Sequence, residues 1–483
     1  MKKTLLTILG IIMFTSLNFS QNFIKSTING STSAEPYVIA SGYLTNDTFL
    51  DIAIGTDTGS AVEWYKNDGD GTFTNMGALT AIAPADLSFV EGIEIADIDD
   101  DGDDDILATS YVNDNLVWFE NNGDETFENA VEISDAINGA GTVRVMNIDN
   151  DANGYLDVIV TAFEGNSVVY MLGNGDGTFG SMRFLVPVTS GSGPGDVDFA
   201  DFDNDGDLDA LVAFTGNGDI AVYENRLIPD GLDVSGDIPF VAYTNLVDSG
   251  NGFLWTVSFA DVNDDGNLDV LKSDNFPSGV PNIAWYSFDD SDAMGNPLST
   301  TTWTENTVST SIARTAMVSS ADLNDDNYND LLVSNGRATD NALIWFTSDS
   351  SGGLGSEIMI DDTSSSLFDL RIADFDNDND LDIVGISYLQ DDVFIFINDL
   401  YTLNRESFEI GLVNIFPNPT NQFLNFELSN TESKTVTVYD VLGKKLLSET
   451  VSNLKPLDVS GLASGIYTLK FNNYSESIKF IKE

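Results

Sequence analysis

Asp201-Phe202-Asp203-Asn204-Asp205-Gly206-Asp207-Leu208-Asp209 is an acidic loop that follows a short strand-like run ending in Ala200 and leads into an apolar run from Ala210. Counted from Asp201, carboxylates stand at positions 1, 3, 5, 7 and 9, with Gly206 at position 6. Such oxygens converge on one point only if the backbone turns sharply between them. Glycine supplies that turn because it tolerates positive φ. The spacing suits a hard cation held by carboxylate oxygens, and calcium is the expected one.

The pattern recurs. Aligned on the ninth-position Asp, its copies end at Asp51, Asp105, Asp157, Asp209, Asp269, Asp330 and Asp382, at intervals of 52 to 61 residues. The second copy offers Asp97, Asp99, Asp101, Asp103 and Asp105, and the third reads as Asp149, Asp151, Asn153 and Asp157. The fourth holds Asp201, Asp203, Asp205, Asp207 and Asp209, and the fifth Asp261, Asn263, Asp265, Asn267 and Asp269. The sixth offers Asp322, Asn324, Asp326 and Asp330, and the seventh Asp374, Asp376, Asp378, Asp380 and Asp382. Asn327 and Asn379 stand in for glycine in the last two, and Asn is the next most tolerant of the left-handed conformation. The first copy has decayed to Tyr43-Leu44-Thr45-Asn46-Asp47-Thr48, where little or no metal is expected.

An aromatic run follows each loop by 13 to 16 residues: Trp64-Tyr65, Trp118-Phe119, Tyr170, Tyr223, Trp285-Tyr286, Trp345-Phe346 and Phe396. Strand, acidic loop, strand, aromatic strand, turn and strand make about four strands per repeat, and no stretch sustains a helical apolar period. The expected fold is all-β: a seven-bladed β-propeller with calcium-binding loops, then a small β-sandwich. An open β-solenoid is the alternative, although its repeats are usually much shorter. These repeats resemble the FG-GAP/VCBS family found in integrin α-subunit propellers and many bacterial surface proteins, over roughly residues 22–400. The resemblance implies about six structural calcium sites, in copies two to seven.

The ends of the chain differ from its middle. Met1-Lys2-Lys3 and the apolar run over 5–17 read as a secretory signal peptide, residues 1–20, cleaved near Ser20/Gln21. Residues 21–411 hold 10 basic and 71 acidic residues, whereas 412–483 hold seven of each. A shift that sharp marks a boundary. It divides a propeller over 21–405, a linker over 406–414 and a C-terminal domain over 415–483. The tail carries Phe416-Pro417-Asn418-Pro419, then Tyr439-Asp440-Val441-Leu442-Gly443-Lys444, then Gly465-Ile466-Tyr467, and closes on Ile478-Lys479-Phe480-Ile481-Lys482. This order resembles the C-terminal sorting domain of type IX secretion in Bacteroidetes. It implies the type IX machinery as a partner, with release or anchoring at the cell surface after Sec export. An accessory carbohydrate-binding or Ig-like module is the other reading of the tail.

Composition narrows the chemistry. The chain has no Cys and no His and a formal net charge of −59. Disulfides therefore contribute nothing, and Ser-His-Asp, Cys-His and His-ligated zinc chemistry are excluded. The scattered basic residues of the propeller disfavour nucleic acid. No run past the signal peptide is long enough to span a membrane, and a monomer is expected.

A ligand face is expected where the strand before each loop lines a central channel. Its alternation places polar residues at Glu94, Arg144, Asp198, Ser258, Ser319 and Arg371, between apolar residues such as Ile93, Ile95, Val143, Val145, Val197 and Phe199. These could grip an anionic or sugar ligand, or pair with one another around a water-filled hole. Trp255, in Gly250-Asn251-Gly252-Phe253-Leu254-Trp255, could stack on a sugar or fill a gap between blades. Arg314 and Arg337 lie in loops of the sixth repeat and could meet an acidic ligand. Three functions stay open: a calcium-stabilised binding or adhesion protein recognising a glycan or a surface protein, a lyase acting on acidic glycans, and a structural surface component.

Overall fold

The computed structural model describes residues 23–30, 32, 35–58, 61–79, 86–187, 193–227, 238–242, 247–248, 253–275, 283–288, 303–309, 312, 314–336, 343–349, 353–399, 414–427, 434–439, 444–452, 455–471 and 477–483. Among them every regular element is a strand. The chain divides into two compact units between Tyr401 and Thr402. The expected signal peptide with its cleavage site, the 406–414 linker except for Asn414, and Arg337 lie outside the described residues.

The first unit contains seven antiparallel sheets, each built mostly from consecutive strands. Their first strands are Pro36–Gly42, Val90–Ala96, Ala140–Met146, Pro194–Ala200, Leu254–Ala260, Thr315–Ala321 and Leu367–Ala373. An acidic loop then leads into a second strand whose first residue is the ninth-position Asp: Asp51–Thr56, Asp105–Ser110, Asp157–Ala162, Asp209–Phe214, Asp269–Asp274, Asp330–Asn335 and Asp382–Ser387. All seven second strands are buried along their full length. That burial explains runs such as Val158-Ile159-Val160, which are apolar on both faces rather than alternating. The fourth strands, among them Phe73–Ala78 and Trp303–Ser309, are largely exposed outer edges.

Apolar side chains fill the space between sheets. Seven clusters each draw on two successive sheets, and the seventh joins Ile39, Ile52, Ile54 and Tyr65 of the first sheet to Phe375, Val384, Ile386, Val393 and Ile395 of the last. The first strands likewise pack side by side in a closed ring. The seventh sheet obtains its fourth strand from the other end of the chain: Phe23–Asn29 pairs antiparallel with Asp392–Asn398. The repeat pattern gives no hint of this, because the strand that completes the seventh sheet comes from before the first repeat. Lys25 fixes the closure through an ion pair to Asp361 at 2.9 Å and a position 4.1 Å above the Phe394 ring.

The ninth-position Asp is the recurrent fastening inside each sheet. Oδ1 of Asp51, Asp105, Asp209 and Asp382 accepts the N–H of an Asn sixteen residues later: Asn67, Asn121, Asn225 and Asn398. The other oxygen of Asp105, Asp157, Asp209, Asp269, Asp330 and Asp382 accepts an N–H of the loop just before it, as from Ile98 and Phe202. Each Asn side chain then donates to carbonyls in two places, one in its own sheet's loop and one in the preceding sheet. Asn225 reaches Leu208 and Ile148, Asn121 reaches Asp104 and Leu44, and Asn67 reaches Leu50 and Phe375.

The second unit has two sheets, Asn414–Phe416 with Phe423–Glu427 and Leu457–Asp458, and Lys445–Val451 with Lys434–Tyr439, Gly465–Phe471 and Ser477–Lys482. They enclose one core of Leu424, Phe426, Val436, Val438, Val451, Leu457, Val459, Tyr467, Leu469 and Phe480. This is a small sandwich.

Two outcomes follow from these contacts. Asn225→Ala should cost about 2–3 kcal/mol in urea denaturation, since it strands buried carbonyls in two sheets. Burial alone would raise the Asp361 carboxyl, but donors on Ser364, Thr363 and Lys25 outweigh it and hold it at about 2, below its ordinary 3.8. Its contribution is therefore present above pH 3.8 and lost as pH falls towards 2. The stability gap between wild type and Asp361→Asn should be about 1–3 kcal/mol near neutrality and should close over that window.

Candidate functional site

The first strands position two groups of residues, the acidic loops at their C-terminal ends and the cavity-lining side chains along their length, and the loops come first. Backbone curvature in them is carried at two positions. Position 4 has positive φ in Asp100 (59°), Asn204 (60°), Asp264 (56°), Asp325 (55°) and Asn377 (59°). Position 6 does too, in Gly102 (99°), Gly206 (101°), Gly266 (87°), Asn327 (69°) and Asn379 (76°). The two Asn therefore take the conformation glycine takes elsewhere. Position-1 carboxylates bind the turn: Oδ1 of Asp97, Asp201, Asp261, Asp322 and Asp374 accepts the N–H of position 5 at 3.0–3.2 Å.

The third loop differs in register. Asp157 accepts from Ile148, Asp151 N–H points to Asn147, and the positive φ falls at Asn150. Asn147, Asp149 and Asp151 therefore occupy positions 1, 3 and 5, and the loop carries two extra residues before Asp157. Asn153 is displaced from the ligand position assigned to it, because Ala152-Asn153 forms the insertion. With Asn147 first, Arg144 lies three residues ahead of the loop, as Glu94 and Asp198 do in theirs.

Whether these loops suit a cation is decided by their oxygens. Carboxylate oxygens of Asp97, Asp99 and Asp101, of Asp201, Asp203 and Asp205, and of Asp374, Asp376 and Asp382 lie within 4.8 Å of one another. The position-3 Oδ1 atoms of Asp99, Asp203 and Asp376 are buried and have no hydrogen-bond partner among the described residues. Burial and neighbouring carboxylates push Asp203 and Asp376 up to about 6 and raise Asp99. Crowded, unpartnered anionic oxygens fit a hard divalent cation such as calcium. The fifth and sixth loops differ, because Asn263 and Asn324 spend their side-chain oxygens on the N–H of Asp265 and Asp326. Position-7 residues Asp103, Asp207, Asn267 and Asp380 flank the turn, and the N–H of each is held by the position-5 oxygen. In the decayed first copy Asp51 still fastens Asn67, so the ninth Asp has a structural task independent of the ligand set.

The second group lines a central cavity of about 610 Å³. Glu94, Arg144, Asp198, Trp255, Ser258, Ser319 and Arg371 all face it, so the structure brings the residues of the expected channel face together. Asp196, Asp369 and Glu91 join them. Arg144 pairs with Asp196 at 3.2 Å and Arg371 with Asp369 at 2.9 Å. Burial pushes Asp196 up to about 6 despite Arg144, and raises Glu94 and Asp198 despite the same guanidinium. Five carboxyl groups thus share the wall with two arginines, both already engaged.

Sequence alternation missed one device. All seven first strands shift register by one residue near their start: at Tyr37, Glu91, Gly141-Thr142 (two residues opposite Thr161), Gly195, Trp255, Ala316 and Phe368. A β-bulge re-aims the side chain it inserts. Every one of these sites presents a residue to the cavity wall (Thr142 at the third). Around them runs a belt of rings. Trp255 meets Phe368 edge-on at 5.3 Å, Phe368 meets Tyr37 at 4.6 Å, and Tyr37 meets Phe89 at 4.7 Å. Phe89 continues to Tyr111 at 5.7 Å and Tyr111 to Phe163 at 6.3 Å. Trp255, of the fifth sheet, is therefore both part of the wall and in ring contact with Phe368 of the seventh. Arg314 is exposed at the start of the sixth sheet.

Known proteins place these features. Residues 44–108 and 149–212 match the FG-GAP-like repeat, and 414–483 match the secretion system C-terminal sorting domain. Each repeat match runs from one acidic loop to the second strand of the next sheet. Comparison with curated proteins returns no match. Among solved structures, a streptogramin B lyase aligns at 12% identity with a TM-score of 0.50, over 78% of this chain and 98% of that one. A lectin from Agrocybe aegerita, described as recognising non-reducing terminal N-acetylglucosamine, aligns at 17% and 0.45, over 71% and 81%. The periplasmic gluconolactonase of Pseudomonas aeruginosa aligns at 13% and 0.48, over 70% and 88%. At such identities the first likeness shows the fold alone. Among the described residues no helix is long and apolar enough to cross a membrane. The chain carries FG-GAP-like repeats in an all-β, propeller-like unit and ends in a type IX secretion sorting domain, which marks it for export to the cell surface or beyond.

Proposed function

We propose that this exported protein is a calcium-stabilised binding or adhesion protein that recognises a non-acidic glycan in its central cavity. The observation that carries the reading is the aromatic belt above a wall of paired charges. Ring faces stack on the apolar faces of sugars, and carboxylates and guanidinium groups supply acceptors and donors for hydroxyls. Charge favours a non-acidic ligand over a uronate polymer. Arg144 and Arg371 are already paired with Asp196 and Asp369, and the remaining carboxylates repel an anion. A lyase acting on acidic glycans is correspondingly less supported, and a purely structural surface component gives the belt no task.

Calcium enters as the stabiliser. The loops of Asp97–Asp105, Asp201–Asp209 and Asp374–Asp382 have the strongest donor sets, and a cation there would relieve the mutual repulsion of their carboxylates. It would supply no chemistry to the cavity. Its effect is to hold the turn that follows each first strand.

The full chain, in calcium, should bind neutral oligosaccharides on a panel, and Trp255→Ala should weaken that binding about tenfold or more. Ultraviolet absorbance from unsaturated ends on an acidic polymer would instead make it a lyase. Chelating calcium should lower the melting temperature by several degrees. Asp203→Asn should remove part of that response, yet be neutral or stabilising in chelator, where it relieves repulsion. Asp51→Ala should destabilise with and without calcium, separating the ninth-position fastening from the metal.

A further inference from the structure

Glu91 has no role in anything derived so far. It is the bulged residue of the second sheet's first strand, between Phe89 and Ile93. Of the residues at the seven bulges it is the only charged one: Tyr37, Trp255 and Phe368 are aromatic, and Gly141, Thr142, Gly195 and Ala316 are small. Gly141, Thr142 and Gly195 follow it on the next two sheets of the ring, whereas Ala316 stands between Trp255 and Phe368. A Cβ added at Gly141 would stand 3.9 Å from the Glu91 carboxyl carbon, an ordinary contact distance, so the Glu91 carboxyl lies beside the bulge of the third sheet. Glu91 Oε2 is buried and has no hydrogen-bond partner among the described residues. The nearby charged and titratable groups offer no counter-ion. Asp57 is another carboxyl group and accepts from Tyr388 at 2.7 Å, and the Tyr111 hydroxyl is turned to Glu164 at 3.0 Å. Arg144 and Arg371 act on Glu94, further along the wall.

A buried carboxylate without a donor or a cation is costly unless something supplies one. The rings beside it have the complementary property, since an aromatic face attracts a cation. From Glu91 and this belt together we propose that the glycan carries a free ammonium group, as an amino sugar does, and that this group is held between the Glu91 carboxylate and the neighbouring rings. The inference rests on the glycan reading above and names the part of the ligand that selects it. Burial and Asp57 push the unliganded carboxyl up to about 8, which agrees with a group that lacks a counter-charge. A protonated Glu91 could instead donate to a neutral hydroxyl, and the test must tell the two apart.

The probes are glucosamine di- and trisaccharides, their N-acetylated counterparts and a neutral glucose trisaccharide. The full chain would be titrated with each in calcium at about 0.15 M salt, where exposed charges are largely screened. Free-amine oligomers should bind at least about tenfold tighter than acetylated ones. Glu91→Gln, which keeps the shape but cannot ionise, should erase that preference by weakening the free-amine oligomers far more than the neutral and acetylated ones. Its melting temperature should not fall, because the amide replaces a buried carboxyl oxygen that has no hydrogen-bond partner among the described residues. Equal affinity for free and acetylated amines, or an unaltered preference in Glu91→Gln, would overturn the ammonium site while the glycan reading stood. Choline binding that is lost in Glu91→Gln, with no sugar bound, would keep the ammonium site and sink the glycan reading. Failure of every probe to bind would overturn both.

Discussion

The fold of the first unit depends on one buried carboxylate repeated around the ring. At each copy the ninth-position Asp opens the second strand and is almost entirely inaccessible. An isolated buried anion is expensive; backbone N–H donors offset part of that cost, although burial still pushes Asp209 up to about 8. In four copies one oxygen ties the far end of the third strand through an Asn, and in most one ties the start of the acidic loop. A single side chain thus sets both where the strand begins and how the loop enters it. The paired Asn extends this to the preceding sheet, and Asn67 extends it across the closure to Phe375. Apolar burial between sheets supplies most of the cohesion, yet it is non-directional. The Asp and Asn pairs give it register.

That arrangement separates two tasks along one strand. The C-terminal end of each first strand runs into an acidic loop, and its N-terminal end carries the bulge that faces the cavity. A strand of seven residues spans roughly 23 Å, so loop oxygens and cavity side chains do not compete for space. They are nonetheless mechanically joined. A side chain three residues before the loop, such as Arg144 or Asp198, takes its height in the cavity from where the turn holds the strand. Anything that orders the turn orders the wall.

Much of this was legible in the residues, for identifiable reasons. Seven recurring Asp at constant offset, and apolar runs after them, specify sheet number and strand order because side-chain periodicity leaves few alternatives. The channel face was legible through alternation alone, at Glu94, Asp198 and Arg371. Three features were not. Ala152-Asn153 lengthens the third loop by two residues while preserving the look of the motif, so Asn147 escaped notice and Asn153 was given a ligand's place. The Asn latch left a signal, an Asn sixteen residues after Asp51, Asp105, Asp209 and Asp382, but it is readable only once the ninth Asp is seen to be structural. The N-terminal strand in the last sheet depends on ring closure, a tertiary event with no local mark.

The bulges explain why the cavity wall is the hardest part to read. Alternation places Glu91 and Trp255 on the apolar, between-sheet side of their strands, and a one-residue shift reverses that side. A reading by period therefore misplaces the side chains that give each sheet its individual contribution to the cavity. Those same positions are where the sevenfold regularity breaks. The core positions of successive sheets are near copies, as closure of a ring demands. At the bulges the chain presents an acid, a threonine, small residues and three rings in an unequal order. A symmetric wall could offer a ligand only repeated contacts of one kind. An unequal one can distinguish the two ends of the proposed sugar ligand, so selectivity is expected at the positions where the repeat is broken.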